Sequence, residues 1–450
     1  MKWLSAFLWC GVLLFFGSFG TYAYAHGTLE EVFIVTNHLG DETWSGEITP
    51  GPVAHNKELK LRVVARFSGT AHSYYWGPDY GTESVSNLNG GTRTVYAWPG
   101  GHWGTPTVTW KKVMPHMNNS DWDRSVSNDP WNPSYDAYTN VVPKDTAETN
   151  PCECSHNHRY SFPGADEGLG ESFGICIGGC PVGGCPHTHS KYRGVYSHTN
   201  EGDGCDIIEY EQTTVSGTWQ ITESSSTEPG TRHYRVSQFE YQGVTKYTRG
   251  KENTSNVSNL VYAAGDDDAY ERGIRTEVTR IVRKSDNSNA FLSHVKSHEF
   301  VPWIYGSWGV TQADKYIGFD CADLLVASAR HAGNSVSFGS ANSLTSRTAI
   351  KASGEPYYLQ GSVVKDKNGS DANIMMGTDI DEGDLILIDR NFSGSFSADH
   401  ATALYDSDGD SKLDGDDTLI HATHGGVEDG QSLSTVLDAG DKFVLRVGWE

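Results

Sequence analysis

The chain has 450 residues and is acidic: 57 Asp and Glu against 34 Lys and Arg leave a formal charge of −23. Such a surface repels nucleic acid and anionic membranes, which sets aside the polyanion-binding classes. The 22 Tyr, 13 Trp and 50 Gly suit β-rich, loop-rich architecture rather than a helical bundle.

In chain order, residues 1–25 come first, with a basic Lys2, an apolar run from Trp3 to Phe19 and small residues at Ala23-Tyr24-Ala25. That pattern predicts a signal peptide, so the mature protein is expected to be secreted, extracellular or periplasmic, with no membrane attachment after cleavage. Cys10 leaves with it. Seven cysteines remain: Cys152, Cys154, Cys176, Cys180, Cys185, Cys205 and Cys321.

Residues 26–150 form a β-rich accessory domain by pattern. "EEVFIVTNH", "LKLRVVARF", "TRTVYAW" and "TPTVTWKKV" are strand-like, separated by Gly, Pro and Asn clusters, and the economical fold is sandwich-like. The loops "HSYYWGPDYG" and "WPGGHWG" offer aromatic faces that suit sugar rings, and the same rings suit core packing. Residues 151–205 hold six of the seven cysteines beside His156, His158, His187 and His189. Export favours disulfides there, while the histidines keep a zinc site as the alternative. Residues 206–287 return to strand patterns, either continuous with the first β region or a separate domain.

From residue 288 the pattern changes. "NAFLSHVKSHEF" has helical spacing, and a second helix is predicted from Cys321, with Asp320 as N-cap and Gly333 as its stop. A thiol in a first turn feels the positive end of the helix dipole, which favours thiolate. An odd cysteine in an exported chain suggests a free reactive thiol. Three strands follow, "EGDLILID", "DHATALYD" with His400 at its head, and "TLIHATH" with His421. A hairpin between the last two would bring both imidazoles together, one to take the thiol proton and one to orient it. His331, in the last turn of the helix, is expected on the surface.

Taken together, "VPWIYGSWG", "GFDCADLLVASARHAG", "EGDLILID", "DHATALYD" and "LIHATH" resemble the NlpC-type family of cell-wall cysteine peptidases. The resemblance covers residues 288–450 and implies a compact papain-like α+β domain. It implies Cys321 as nucleophile, His400 as base and His421 as the orienting third member, with no catalytic cofactor. Peptide bonds of peptidoglycan stems, often beside D-glutamate, are the implied substrate. Trp303, Asp320 and Asp323 fall at the implied substrate contacts. There the chain departs from the family, with Cys321-Ala322-Asp323 for the usual C-S-G and Trp303 for the usual tyrosine.

The gap between His400 and His421 is longer than is usual in that family. It holds "DSDGDSKLDGDD", whose Asp406, Asp408, Asp410, Asp414 and Asp417 fall at the calcium positions of an EF-hand-like loop, with the carbonyl of Lys412 between. Structural calcium is therefore expected. Ser411 occupies the usual glycine position, and the last ligand is Asp rather than Glu. Two rival functions fit the same residues. One is acyl transfer of the transglutaminase kind, or another amidase activity; the other is non-catalytic binding to the cell envelope.

Overall fold

The computed structural model describes most of residues 27–115, 191–197, most of 205–248, the pieces 261–262 and 273–274, 279–301 with Trp303, and most of 313–449. The expected signal segment, the cysteines from Cys152 to Cys185 and their neighbouring histidines lie outside the described residues, as do Ser407–Asp410 and His424.

A strand with apolar residues on both parities must bury both of its faces. β1 (Thr28–Thr36) carries Val32, Phe33, Ile34 and Val35 in a row, and β3 (Leu59–Ser68) carries Val63, Val64 and Ala65. With β2 (Trp44–Ser45), β4 (Ser73–Gly77), β5 (Glu83–Leu88) and β6 (Gly91–Ala97) they form the order β1-β2-β5-β6-β4-β3. Since β1 also pairs with β3, six strands close into a barrel. Phe33, Trp44, Val64, Tyr75, Val85 and Val95 fill it. The sandwich reading is corrected at this point: the double-sided apolar pattern serves a closed interior and an outer wall.

That outer wall packs on a second sheet. Its strands are β7 (Thr107–Pro115), β8 (Lys191–Ser197), β9 (Cys205–Val215), β11 (Gly230–Tyr241), β12 (Val244–Lys246) and β15 (Thr279–Arg283). Leu61, Val63 and Phe67 from the barrel meet Trp110, Val236, Phe239 and Ile281 from the sheet. β7 pairs with β9 and β11, and β10 (Gln220–Glu223) pairs with β3, so the two β-rich segments of the sequence interleave. β13 (Val261–Tyr262) and β14 (Gly273–Ile274) pair as a small separate ribbon.

The C-terminal part is α+β. Its first helices are α1 (Ala290–Lys296), α2 (Cys321–His331) and the single turn α3 (Ala341–Leu344). A short hairpin, β16 (Tyr358–Gln360) with β17 (Val363–Lys365), precedes the main sheet. That sheet holds β18 (Leu385–Asp389), β19 (His400–Asp406), β20 (Thr418–Thr423), β21 (Gly426–Ser432) and, after the turn α4 (Leu433–Val436), β22 (Lys442–Arg446). The order is β21-β20-β19-β18-β22, antiparallel throughout.

Strand alternation divides this sheet between two cores. Leu385, Leu387, Ala401, Ala403, Ile420 and Ala422 lie with α1 and α2, and the small alanines let α2 sit close. Ile386, Ile388, Leu404, Leu419 and Phe443 turn to the opposite core. The accessory unit joins at α1: the Thr231 amide donates to Glu299 O at 2.8 Å and its hydroxyl to Ser297 O at 2.7 Å. Gly230 (φ +118°) makes this approach possible, since a Cβ there would meet Phe300 at 2.7 Å. Among the described residues, no helix is long and apolar enough to cross a membrane.

Candidate active site

The site gathers at the N-terminus of α2. Asp320 leaves the helical conformation, and its Oδ1 accepts from the amides of Ala322 (3.0 Å) and Asp323 (2.9 Å), the N-cap expected from the sequence. Gly333 follows the helix at φ +96°. Cys321 is therefore the first helical residue, partly exposed and not disulfide-bonded. Its thiol is hydrogen-bonded to the backbone of Ala401 and Ala322, so the helix tip rests on the residue that follows His400.

The expected dipole effect does not decide the thiol's acidity. Burial pushes Cys321 up to about 12, and the neighbouring Asp320 carboxylate adds to it. The backbone contacts to Ala401 and Ala322 and the charge of Arg390 oppose them more weakly. The carboxylate that caps the helix also brings negative charge beside the sulfur.

His400 and His421 meet as predicted. Thr402 of β19 faces His421 of β20, which places His400 one diagonal step away. The rings stand edge to face at 5.1 Å between centroids, with His400 Nε2 2.9 Å from His421 Nδ1. His400 pairs with Ile388, so both imidazoles occupy the sheet face turned away from the body of α2. Cys321 packs on the α2 side of the sheet, against the end of β19 where His400 is the first residue. Burial lowers the pKa of His421, with Arg390 acting in the same direction, while Gln431 and Glu428 act against it.

Trp303 joins the helix start through a bridge between its backbone and Phe319, and Asp323 lies in the first turn of α2; both are nearly buried. Trp303 thus joins the chain two residues before Cys321 and Asp323 follows two residues after it, with the Asp320 carboxylate engaged in capping. The loop from β18 to His400 is held by Asp389, whose buried carboxylate accepts from the amides of Asn391 (3.1 Å) and Ser397 (2.8 Å). Sequence reasoning passed over Asp389, Arg390, Glu428 and Gln431. The "GDLILID" pattern ends in Asp389, and that acid closing an apolar strand was the available signal.

Of the calcium loop, Lys412, Asp414 and Asp417 are described together with the backbone of Asp406, while Asp408 and Asp410 are not. The Asp417 side chain is buried and accepts from the amide of Asp414 at 2.7 Å; Asp414 Oδ1 accepts from Asp416 N at 2.8 Å. Among the described residues, no group of three or more His, Cys, Asp or Glu is arranged to hold a metal. His331 departs from expectation. Its ring stacks on buried Tyr316 at 4.8 Å, beside His294 and His298.

The chain matches no protein-family model, no curated protein and no solved structure.

Proposed function

We propose that the C-terminal domain is a papain-like cysteine hydrolase that cleaves amide bonds, with peptidoglycan stem peptides as its substrate class. The observation that carries the reading is the 2.9 Å contact of His400 with His421 on the strand whose next residue, Ala401, touches the Cys321 thiol. In this reading Cys321 passes its proton to His400 round the end of β19, attacks the amide carbonyl, and His400 returns the proton to the leaving amine. The carboxylate of Asp320 takes the amides of Ala322 and Asp323, and the amide of Cys321 serves the developing oxyanion. The expected secretion fits an enzyme that meets a glycan-linked peptide outside the cell. Of the aromatic loops, Trp76, Trp98 and Trp103 pack together on the core between barrel and sheet rather than forming an open sugar platform.

The elevated thiol favours one second reading, a non-catalytic envelope-binding module, because an inert buried cysteine has the same character. One experiment separates them. Wild type and Cys321→Ala are incubated with purified peptidoglycan and model peptides, and products are read by mass spectrometry. The expected result is new amine termini with wild type and none with Cys321→Ala; cross-linked products instead point to acyl transfer, and no product from wild type removes the hydrolase reading.

A further inference from the structure

Behind His421 stands a second pair of residues that determines where the protons of both imidazoles sit. β21 pairs with β20 in the register His421↔Glu428 and Ile420↔Asp429, then jumps to Leu419↔Gln431. Gly430 is the extra residue of this bulge, at φ +74° with nothing within 4 Å of where a Cβ would lie. In a regular strand, residues three apart point to opposite faces. The bulge cancels that: Glu428 and Gln431 oppose His421 and Leu419, two residues of one face, so both reach the imidazole side of the sheet.

The contacts then run in series. Gln431 Nε2 donates to Glu428 Oε2, and the Thr423 hydroxyl donates to Glu428 Oε1. A carboxylate accepts only, so the amide nitrogen of Gln431 must face Glu428 and its carbonyl must face His421. Gln431 Oε1 is 3.2 Å from His421 Nε2. A carbonyl oxygen also accepts only, so His421 carries its proton on Nε2 and presents a lone pair at Nδ1. His400 Nε2, 2.9 Å away, must then be the donor, which makes Nδ1 the basic nitrogen of His400.

We infer that Glu428 and Gln431 are positioning residues that set the tautomers of His421 and His400, and so make His400 a base through Nδ1. The inference rests on the proposed hydrolase only for its catalytic consequence; the tautomers follow from geometry alone. If Glu428 loses its charge, the Gln431 amide is free to turn over and present N–H to His421. The proton of His421 then moves to Nδ1, and that of His400 moves to its own Nδ1. The base is silenced without loss of either imidazole.

The test is nitrogen NMR of histidine rings in the full chain labelled with ¹⁵N-histidine, with signals assigned through His400→Gln and His421→Gln. Wild type should show both His400 and His421 as the Nε2–H form, with no variant needed for that reading. Glu428→Gln and Gln431→Leu should each give mixed forms at His421. Each should lower kcat on the order of tenfold at unchanged KM, as loss of a partner that orients an imidazole does. Gln431→Glu, whose carboxylate can only accept and so keeps the proton of His421 on Nε2, should retain the Nε2–H form at both histidines. An Nδ1–H form of His421 in wild type, or wild-type tautomers in both Glu428→Gln and Gln431→Leu, overturns the inference. Expected tautomers alongside undiminished activity in Cys321→Ala would uphold the clamp and remove the hydrolase reading instead.

Discussion

Cys321 and Asp320 are neighbours with opposed effects. The Asp320 carboxylate stabilises the first turn of α2, a contribution of about 1 kcal/mol for such a cap, yet its charge raises the thiol. Asp320→Asn keeps a capping oxygen and removes the charge. Its alkylation by iodoacetamide, followed against pH, should begin at lower pH than in wild type, with thermal stability nearly unchanged. An unmoved profile would mean that burial alone governs the sulfur. At this scale the sequence was informative about identity and silent about balance. The Asp–Cys adjacency and the helix start are readable in "GFDCADLL", whereas the depth of the thiol depends on Ala401, eighty positions along the chain.

At the scale of elements, α2 and the strands β18, β19 and β20 were legible because each has its own periodicity and caps. Helix boundaries at Asp320 and Gly333 follow from local chemistry. The bulge in β21 was not legible. "GVEDGQS" reads as loop or weak strand, and its meaning appears only when β20 lies beside it and counts the extra residue. The hairpin between β19 and β20 also carries the expected calcium loop. Calcium there would screen a dense set of carboxylates and brace both histidine strands. EDTA should then lower the melting temperature and, in the proposed hydrolase, the rate of amide cleavage together, and added calcium should restore both. A melting temperature indifferent to EDTA and calcium takes the ion out of the account, leaving Asp414 and Asp417 as turn-forming acids.

At the scale of the whole molecule, the domain carries a histidine core against acid. Burial lowers His294 and His298 to about 3 and His331 to about 4, with His331 and Lys284 adding to the effect at His294, and Arg330 adding to it at His331. His298 places Nδ1 2.9 Å from His294 O and Nε2 3.2 Å from Ala313 O, and a neutral ring can donate to only one of them. These groups are neutral when folded and take up protons readily when unfolded. Stability is therefore complete above the unfolded value near 6.5 and falls as pH drops toward the folded values. At about pH 4.5, His298 alone should cost roughly 3 kcal/mol. Urea unfolding between about pH 7.5 and 4.5 should show this decline, and His331→Phe, which keeps the stack on Tyr316, should flatten it by one group. Identical slopes in the two proteins would locate the acid sensitivity elsewhere.

By itself the sequence determined the β-rich and α+β halves, the start of α2, the three strands behind it and the convergence of His400 with His421. Each of these is written in local periodicity, capping chemistry or a short hairpin. Only the tertiary structure decided that the first sheet closes into a barrel, because closure depends on which strands β1 meets and not on its own pattern. Only the tertiary structure raised the Cys321 thiol, since desolvation is a property of neighbours distant in the chain. It also turned His331 inward onto Tyr316 and set Glu428 and Gln431 behind His421. Side-chain periodicity is local, whereas burial and register are collective, and the chemistry of this site draws on both.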